Sequence, residues 1–223
     1  MQTSPNEKPT LCYVTDRRAL RVPAGSDPES VLLERIRSAI DAGTDWIQIR
    51  EKDLDARQLL RLTRAALRNS RESGSGARIL VNDRFDVALA AEAAGVHLGE
   101  ASLPLAIVAE SKRSAAPAGF LAGASCHSVE GALQAARDGA DYIFFGPVFA
   151  TPSKAAFGAP QGLARLREVC SAVDIPVLAI GGITAEDAAS CRQAGAAGIA
   201  GIRLFQETTD AAALAAKFRA NIL

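Results

Sequence analysis

Short runs of β-branched and aromatic residues alternate with longer stretches in which apolar residues recur every three or four positions, and the alternation runs along nearly the whole chain. The extended runs are Leu11–Asp16, Trp46–Glu51, Arg78–Asp83, Val96–Gly99, Phe120–His127, Tyr142–Val148, Pro176–Gly182 and Gly198–Phe205. Between them, Leu32, Ile36 and Ile40 repeat at a spacing of four, as do Leu214, Phe218 and Ile222, which predicts amphipathic helices. Asp27 before Pro28 predicts an N-cap with proline at the first helical position, and Thr184 with Asp187 reads as a capping box. Four helices run into their next strand through related phrases, AGTDWIQI, AAGVHLG, DGADYIFFG and AGAAGIAGI. Their glycines suit the left-handed residue that follows a helix. The repeating unit is one helix plus one strand.

Eight such units predict a parallel sheet. A doubly wound dinucleotide-binding sheet wants a glycine fingerprint after its first strand, but Leu11–Asp16 is followed by Arg17-Arg18. Eight is the count of a (βα)8 TIM barrel, so we read an α/β, single-domain barrel over residues 10–223. Residues 1–9, polar and holding two prolines, read as a disordered tail and not as a signal peptide. The longest connection, Phe149 to Gln161, is rich in Pro, Ala and Gly and is the candidate mobile loop.

Composition narrows the chemistry. The chain of 223 residues is 48% hydrophobic and 22% charged, which excludes wholesale disorder. Lys+Arg and Asp+Glu both number 25, so net charge predicts neither nucleic acid nor membrane as a partner. No apolar run approaches the roughly 18–20 residues of a spanning helix. Cysteines 12, 126, 170 and 191 show neither CxxC nor zinc spacing, so the chain reads as a reduced cytoplasmic protein.

In a TIM barrel, function sits at the C-terminal ends of the strands. There the second strand carries Gln48, Arg50 and Lys52, which alternation would aim together at an anionic ligand. The bland reading is a solvated charge pair with Glu51. Asn82-Asp83 offers oxygens to Mg²⁺, or else caps the following helix. The fifth strand ends in Ser125, Cys126 and His127, with Ser128 as a helix cap; His97, inside the fourth, reads as structural. After the sixth strand, Thr151, Ser153 and Lys154 form a phosphate clasp on the long loop. Gly181-Gly182 opens a second anion site through backbone NH groups. Arg203, which strand alternation puts on the same face as Gly201, reads as a phosphate clamp, as bulk filling the site, or as a surface partner of Glu207.

Six segments in order, QIREK, LVNDRFDVAL, GVHLG, ASCHS, DYIFFGPVFATPSK and PVLAIGGIT, resemble the superfamily of thiamine-phosphate synthases and TenI-type thiazole tautomerases. The resemblance runs from about Leu11 to the C-terminus. It implies a transferase joining hydroxymethylpyrimidine diphosphate to hydroxyethylthiazole phosphate, giving thiamine phosphate and pyrophosphate. Gln48, Arg50, Lys52, Asn82, Ser125 and Lys154 would hold the pyrimidine and its diphosphate, and Asp83 would ligate Mg²⁺. Thr151, Ser153 and Gly182 would contact the thiazole phosphate. Two positions depart from the synthase pattern: Ser102 stands where a second metal-binding Asp is usual, and Arg203-Leu204 replaces a serine and a small residue. The tautomerases lack that Asp and use a histidine matching His127 for proton transfer without metal. A thiazole tautomerase and a non-catalytic phosphorylated-ligand-binding barrel are therefore the alternatives. Apolar barrel helices are also compatible with a homodimer.

Overall fold

The structure is a computed structural model that describes residues 8–151 and 159–221. Its strands are β1 (Thr10–Val14), β2 (Trp46–Ile49), β3 (Arg78–Asn82), β4 (Gly95–Leu98), β5 (Leu121–Cys126), β6 (Tyr142–Phe145), β7 (Val177–Ile180) and β8 (Gly198–Gly201). Each pairs in parallel with the next, and β8 returns to β1 to close the barrel. The connecting helices are α1 (Pro28–Asp41), α2 (Ala56–Ser73), α3 (Phe85–Ala91), α4 (Leu105–Ala115), α5 (Val129–Arg137), α6 (Gly162–Ala172), α7 (Ala188–Gln193), α8 (Arg203–Gln206) and α9 (Ala211–Ala220). The (βα)8 reading holds.

Alternation along the strands splits the apolar side chains into two cores. Leu11, Tyr13, Ile47, Ile49, Ile79, Val81, Val96, Ile143 and Phe145 face outward and pack with the helices. Cys12, Val14, Leu80, Tyr142, Phe144, Leu178 and Ala200 form a separate buried cluster, with Trp46, Leu121 and Ile180 against it. Trp46 meets the edge of Tyr142 with ring centroids 4.7 Å apart, so the lower barrel is filled by side chains.

Local signals explain the starts of α1, α2 and α5. Asp27 accepts from Ser30 N at 2.9 Å ahead of Pro28, and Ser128 caps α5 by accepting from Gly131 N at 3.0 Å. A full capping box, which the sequence reading passed over, joins Asp55 and Gln58 at the start of α2. Thr184 and Asp187 behave differently from expectation. Asp187 accepts from both the backbone N and the Oγ1 of Thr184, but α7 begins only at Ala188. Those bonds close a turn ahead of the helix. Three of the four repeated glycines, Gly43, Gly139 and Gly195, take positive φ as expected. The fourth does not: Glu92 is left-handed in that unit, and Gly95 is needed because a Cβ would stand 2.3 Å from Leu121 O.

Most strands stop earlier than their apolar runs. The residues beyond each stop, such as Arg50, Asp83 and His127, leave the hydrogen-bonded ladder and become loop residues at the barrel mouth. β8 is the largest correction: it ends at Gly201, and Arg203 begins α8. The apolar residues Leu204 and Phe205 that lengthened the predicted strand belong to that helical turn.

Candidate active site

A cavity of about 1000 Å³ opens at the C-terminal ends of the strands. Gln48, Arg50, Lys52, Asn82, Asp83, Ser125, His127, Thr151, Gly181, Gly182 and Arg203 all line it. Ser153 and Lys154 lie outside the described residues, as does most of the long connection that carries them.

The β2–β3 side is organised by one directional chain of hydrogen bonds. Asn82 Nδ2 donates to Asp83 Oδ2 at 2.6 Å, which turns Asn82 Oδ1 toward Gln48. Gln48 Nε2 then donates to that oxygen at 2.8 Å. The remaining Gln48 Oε1 is buried with no partner in the protein. A buried amide oxygen without a donor is costly, on the order of 1–3 kcal/mol, so this wall asks for an N–H from a ligand.

Asp83 sits at φ 61°, a left-handed backbone that few non-glycine residues adopt. It does not cap α3, whose first turn has no side-chain cap. Instead its Oδ1 accepts from Gly99 N at 3.2 Å and from the Ser102 hydroxyl. The described residues contain no cluster of three or more His, Cys, Asp or Glu groups able to hold a metal. One carboxylate touching one hydroxyl at a cavity wall is nevertheless the donor chemistry Mg²⁺ accepts, because that ion takes its other oxygens from water and ligand phosphates.

Arg50 and Lys52 follow β2 into the mouth. Glu51 between them is buried at 4% exposure and is no solvated partner of either, contrary to the bland expectation. It accepts from Thr15 Oγ1 at 2.6 Å and from the backbone N and guanidinium of Arg17, which also grips Asp53. Burial nonetheless pushes the Glu51 carboxyl above the usual range, outweighing those bonds. Thr15 Oγ1 also accepts from Arg50 N at 2.9 Å, so this brace fixes the backbone from which the guanidinium extends. Arg50 itself is half-buried, with Nη1 3.8 Å from Asp16 Oδ2.

On the β4–β6 side, His97 is buried, with Nε2 2.9 Å from Ser125 Oγ and Nδ1 3.1 Å from Tyr142 Oη. Phe144 lies against its ring at 4.2 Å. Burial, more than the nearby Asp83 and Arg50 charges, holds the imidazole pKa down to about 3. The ring is thus enclosed by packing, and Ser125 is its link to the cavity. His127, past the end of β5, engages the Gly146 carbonyl through Nδ1, and Nε2 faces Glu100 at 3.9 Å.

The opposite rim is glycine. Gly181 and Gly182 have φ of 93° and 68°, and a Cβ on Gly182 would come within 2.5 Å of Ala150 O and 2.7 Å of Phe149 O. The pair thus lets the segment after β6 lie directly on the β7 loop. Arg203 reaches the same rim from α8, about half exposed, with Nη1 3.8 Å from Glu207 Oε1. Its pairing with Glu207 is the surface alternative, whereas the strand alternation invoked for a phosphate clamp is absent.

Several residues that shape the site had no role assigned from sequence: Thr15, Arg17 and Tyr142 act through partners distant in sequence. One signal was readable. Gly123 is a glycine inside a strand because a Cβ there would lie 2.1 Å from Tyr142 Cζ.

Comparison with known proteins agrees with this arrangement. Residues 13–205 match the family model described as thiamine monophosphate synthase. The chain is 45% identical to the thiamine-phosphate synthase of Roseiflexus castenholzii over 88% of this chain and 80% of that protein. It is also 45% identical to the thiamine-phosphate synthase of Methanocella arvoryzae over 85% and 86% of the two chains. Among solved structures, the thiamine phosphate pyrophosphorylase of Pyrococcus furiosus superposes with a TM-score of 0.80 at 33% identity, covering 96% of this chain and 95% of that one. With a family match running from β1 into α8, and relatives aligned over most of their length, the chain belongs to the thiamine monophosphate synthase family.

Proposed function

We propose that this chain is a transferase of thiamine biosynthesis, forming thiamine phosphate and pyrophosphate from hydroxymethylpyrimidine diphosphate and hydroxyethylthiazole phosphate. The observation that carries the reading is one cavity holding an orphaned amide acceptor at Gln48, the Arg50 and Lys52 cations, and the glycine rim at Gly181-Gly182. The aminopyrimidine supplies the N–H that Gln48 Oε1 lacks. Arg50 and Lys52 receive the diphosphate, joined in this reading by Lys154. The thiazole phosphate lies at Thr151, Ser153 and the glycine rim, with Arg203 adding positive charge beside it.

Chemistry in this site is ionisation of a benzylic-type C–O bond followed by attack of the thiazole nitrogen on the carbon. The pyrimidine's own amino group supports the cation, so no protein nucleophile is required. The developing charge is on the departing pyrophosphate, and fixed cations aimed there lower the barrier because they need no reorganisation. Asp83 and the Ser102 hydroxyl would hold Mg²⁺, which supplies further neutralisation of the diphosphate when bound. Incubating the protein with both substrates and Mg²⁺, and detecting thiamine phosphate by mass together with released pyrophosphate, tests the proposal. Absence of both products overturns it.

Ser102 and His127 favour one competing activity. With Nδ1 engaged by Gly146 O, the His127 imidazole presents Nε2 for proton transfer, as a thiazole tautomerase requires. Metal-independent isomerisation of a carboxythiazole phosphate, abolished in His127→Asn, is the result that would replace the synthase reading.

A further inference from the structure

Tyr142, His97 and Ser125 form a line of hydrogen bonds from the packed barrel interior to the cavity wall. Two arrangements of protons satisfy the distances. In one, the tyrosine hydroxyl donates to His97 Nδ1, His97 Nε2–H donates to Ser125 Oγ, and the serine proton is free for the cavity. In the other, serine donates to Nε2, Nδ1–H donates to Tyr142 Oη, and the tyrosine proton has nowhere to go.

The surroundings choose between them. Tyr142 is 1% exposed, and among the described residues its hydroxyl has no hydrogen-bond partner besides His97. Its ring is hemmed by Trp46 and Phe144 and crosses Gly123, and neither the Gly123 carbonyl nor the nearby Cys12 sulfur makes a hydrogen bond with the hydroxyl among the described residues. A buried O–H with no acceptor loses a full hydrogen bond to solvation, so the second arrangement is disfavoured. Charging the imidazole so that both nitrogens donate is no escape, because Nδ1–H would again leave the tyrosine proton without an acceptor.

We infer that His97 and Tyr142 are positioning residues that fix Ser125 as a hydrogen-bond donor to the ligand. The wall at Ser125 therefore takes an acceptor, such as a ring nitrogen or a phosphate oxygen, and rejects a group that can only donate. Asp83 and Asn82 impose the opposite polarity on Gln48, which can only accept through Oε1. The two chains together specify a ligand edge that donates at one wall and accepts at the other. This deepens the synthase reading, since the pyrimidine diphosphate carries both kinds of group.

The chain has two histidines, so ¹⁵N-histidine labelling gives two imidazole signals, which His127→Asn assigns. In the ligand-free protein, His97 is expected as the Nε2–H tautomer with a bare Nδ1. A wild-type spectrum with the proton on Nδ1 overturns the inference and leaves the synthase reading untouched. Tyr142→Phe is expected to shift population toward Nδ1–H and to raise KM for the pyrimidine diphosphate roughly five- to tenfold, the worth of one neutral hydrogen bond. Because the effect passes through Ser125, it should vanish in a Ser125→Ala background. Independent, multiplying effects overturn the inference. If the wild type shows the expected tautomer but makes no thiamine phosphate, the synthase reading fails while the proton arrangement stands.

Discussion

Arg50 and Ser102 are where single side chains most directly set the reaction. Arg50 is half-buried at the cavity wall, held by backbone anchored to Thr15, and among the described residues only a long 3.8 Å contact to Asp16 competes for its charge. Removing a charged hydrogen bond costs about 1.5–3 kcal/mol, so Arg50→Ala is expected to raise KM for the diphosphate roughly 10- to 100-fold, measurable in steady-state kinetics. Ser102 contacts Asp83 where a second carboxylate would complete an oxygen-rich site. Ser102→Asp is expected to tighten Mg²⁺ binding by calorimetry and to raise activity when Mg²⁺ is limiting. Without metal the same variant should be less stable, because two adjacent carboxylates repel. Unchanged Mg²⁺ affinity in the folded variant would remove this corner from metal binding. Gln48→Glu tests the wall beside it: a carboxylate facing Asn82 Oδ1 sets acceptor against acceptor. We expect weaker pyrimidine diphosphate binding, read by titration, with thermal stability lowered as well.

At the scale of elements, packing supplies what residue patterns leave out. Gly123 in β5 exists to let the Tyr142 ring cross it, so Gly123→Ala forces an aromatic side chain out of its place. Overpacking of this kind costs about 1–3 kcal/mol, or roughly 2–12 °C of Tm for a chain this long. The variant should also resemble Tyr142→Phe kinetically, since both disturb the support of Ser125. Strand and helix periodicity made all eight units legible, and the loop residues Arg50, Asp83 and Gly182 were readable because their chemistry is unusual next to an apolar run. The end of β8 was not. Apolar Ile202, Leu204 and Phe205 suit a buried helical turn as well as a strand, and only the ladder with β1, which reaches Gly201, tells them apart. Nor could spacing reveal that Glu51 would be buried on Thr15 and Arg17, about 35 residues away in sequence.

For the whole molecule, burial of His97 ties stability to pH. Its folded pKa, about 3, lies below the unfolded value near 6.5, so the unfolded chain binds the extra proton. The full contribution is present above pH 6.5 and is lost as pH falls toward 3, at up to about 1.4 kcal/mol per pH unit. Glu51 has the opposite sign: its raised pKa favours the folded state at acid pH and weakens it as pH rises through the folded value. Denaturant midpoints for wild type and His97→Gln between pH 6.5 and 4.5 separate the two. The variant is expected to lose about one proton's worth of slope while the Glu51 contribution remains.

The lower barrel is filled by Trp46, Leu80, Tyr142, Phe144 and Leu178, beneath the polar level of Gln48, Asn82, His97 and Ser125. A vessel with a solid floor imposes a queue. The molecule that occupies the deepest polar groups must arrive before a second is seated above it, and it cannot depart past that neighbour. Substrates held in such a well should therefore add in sequence, with the one read by Gln48 and Ser125 first. An inhibitor that fills only the upper rim should trap that first arrival without competing with it.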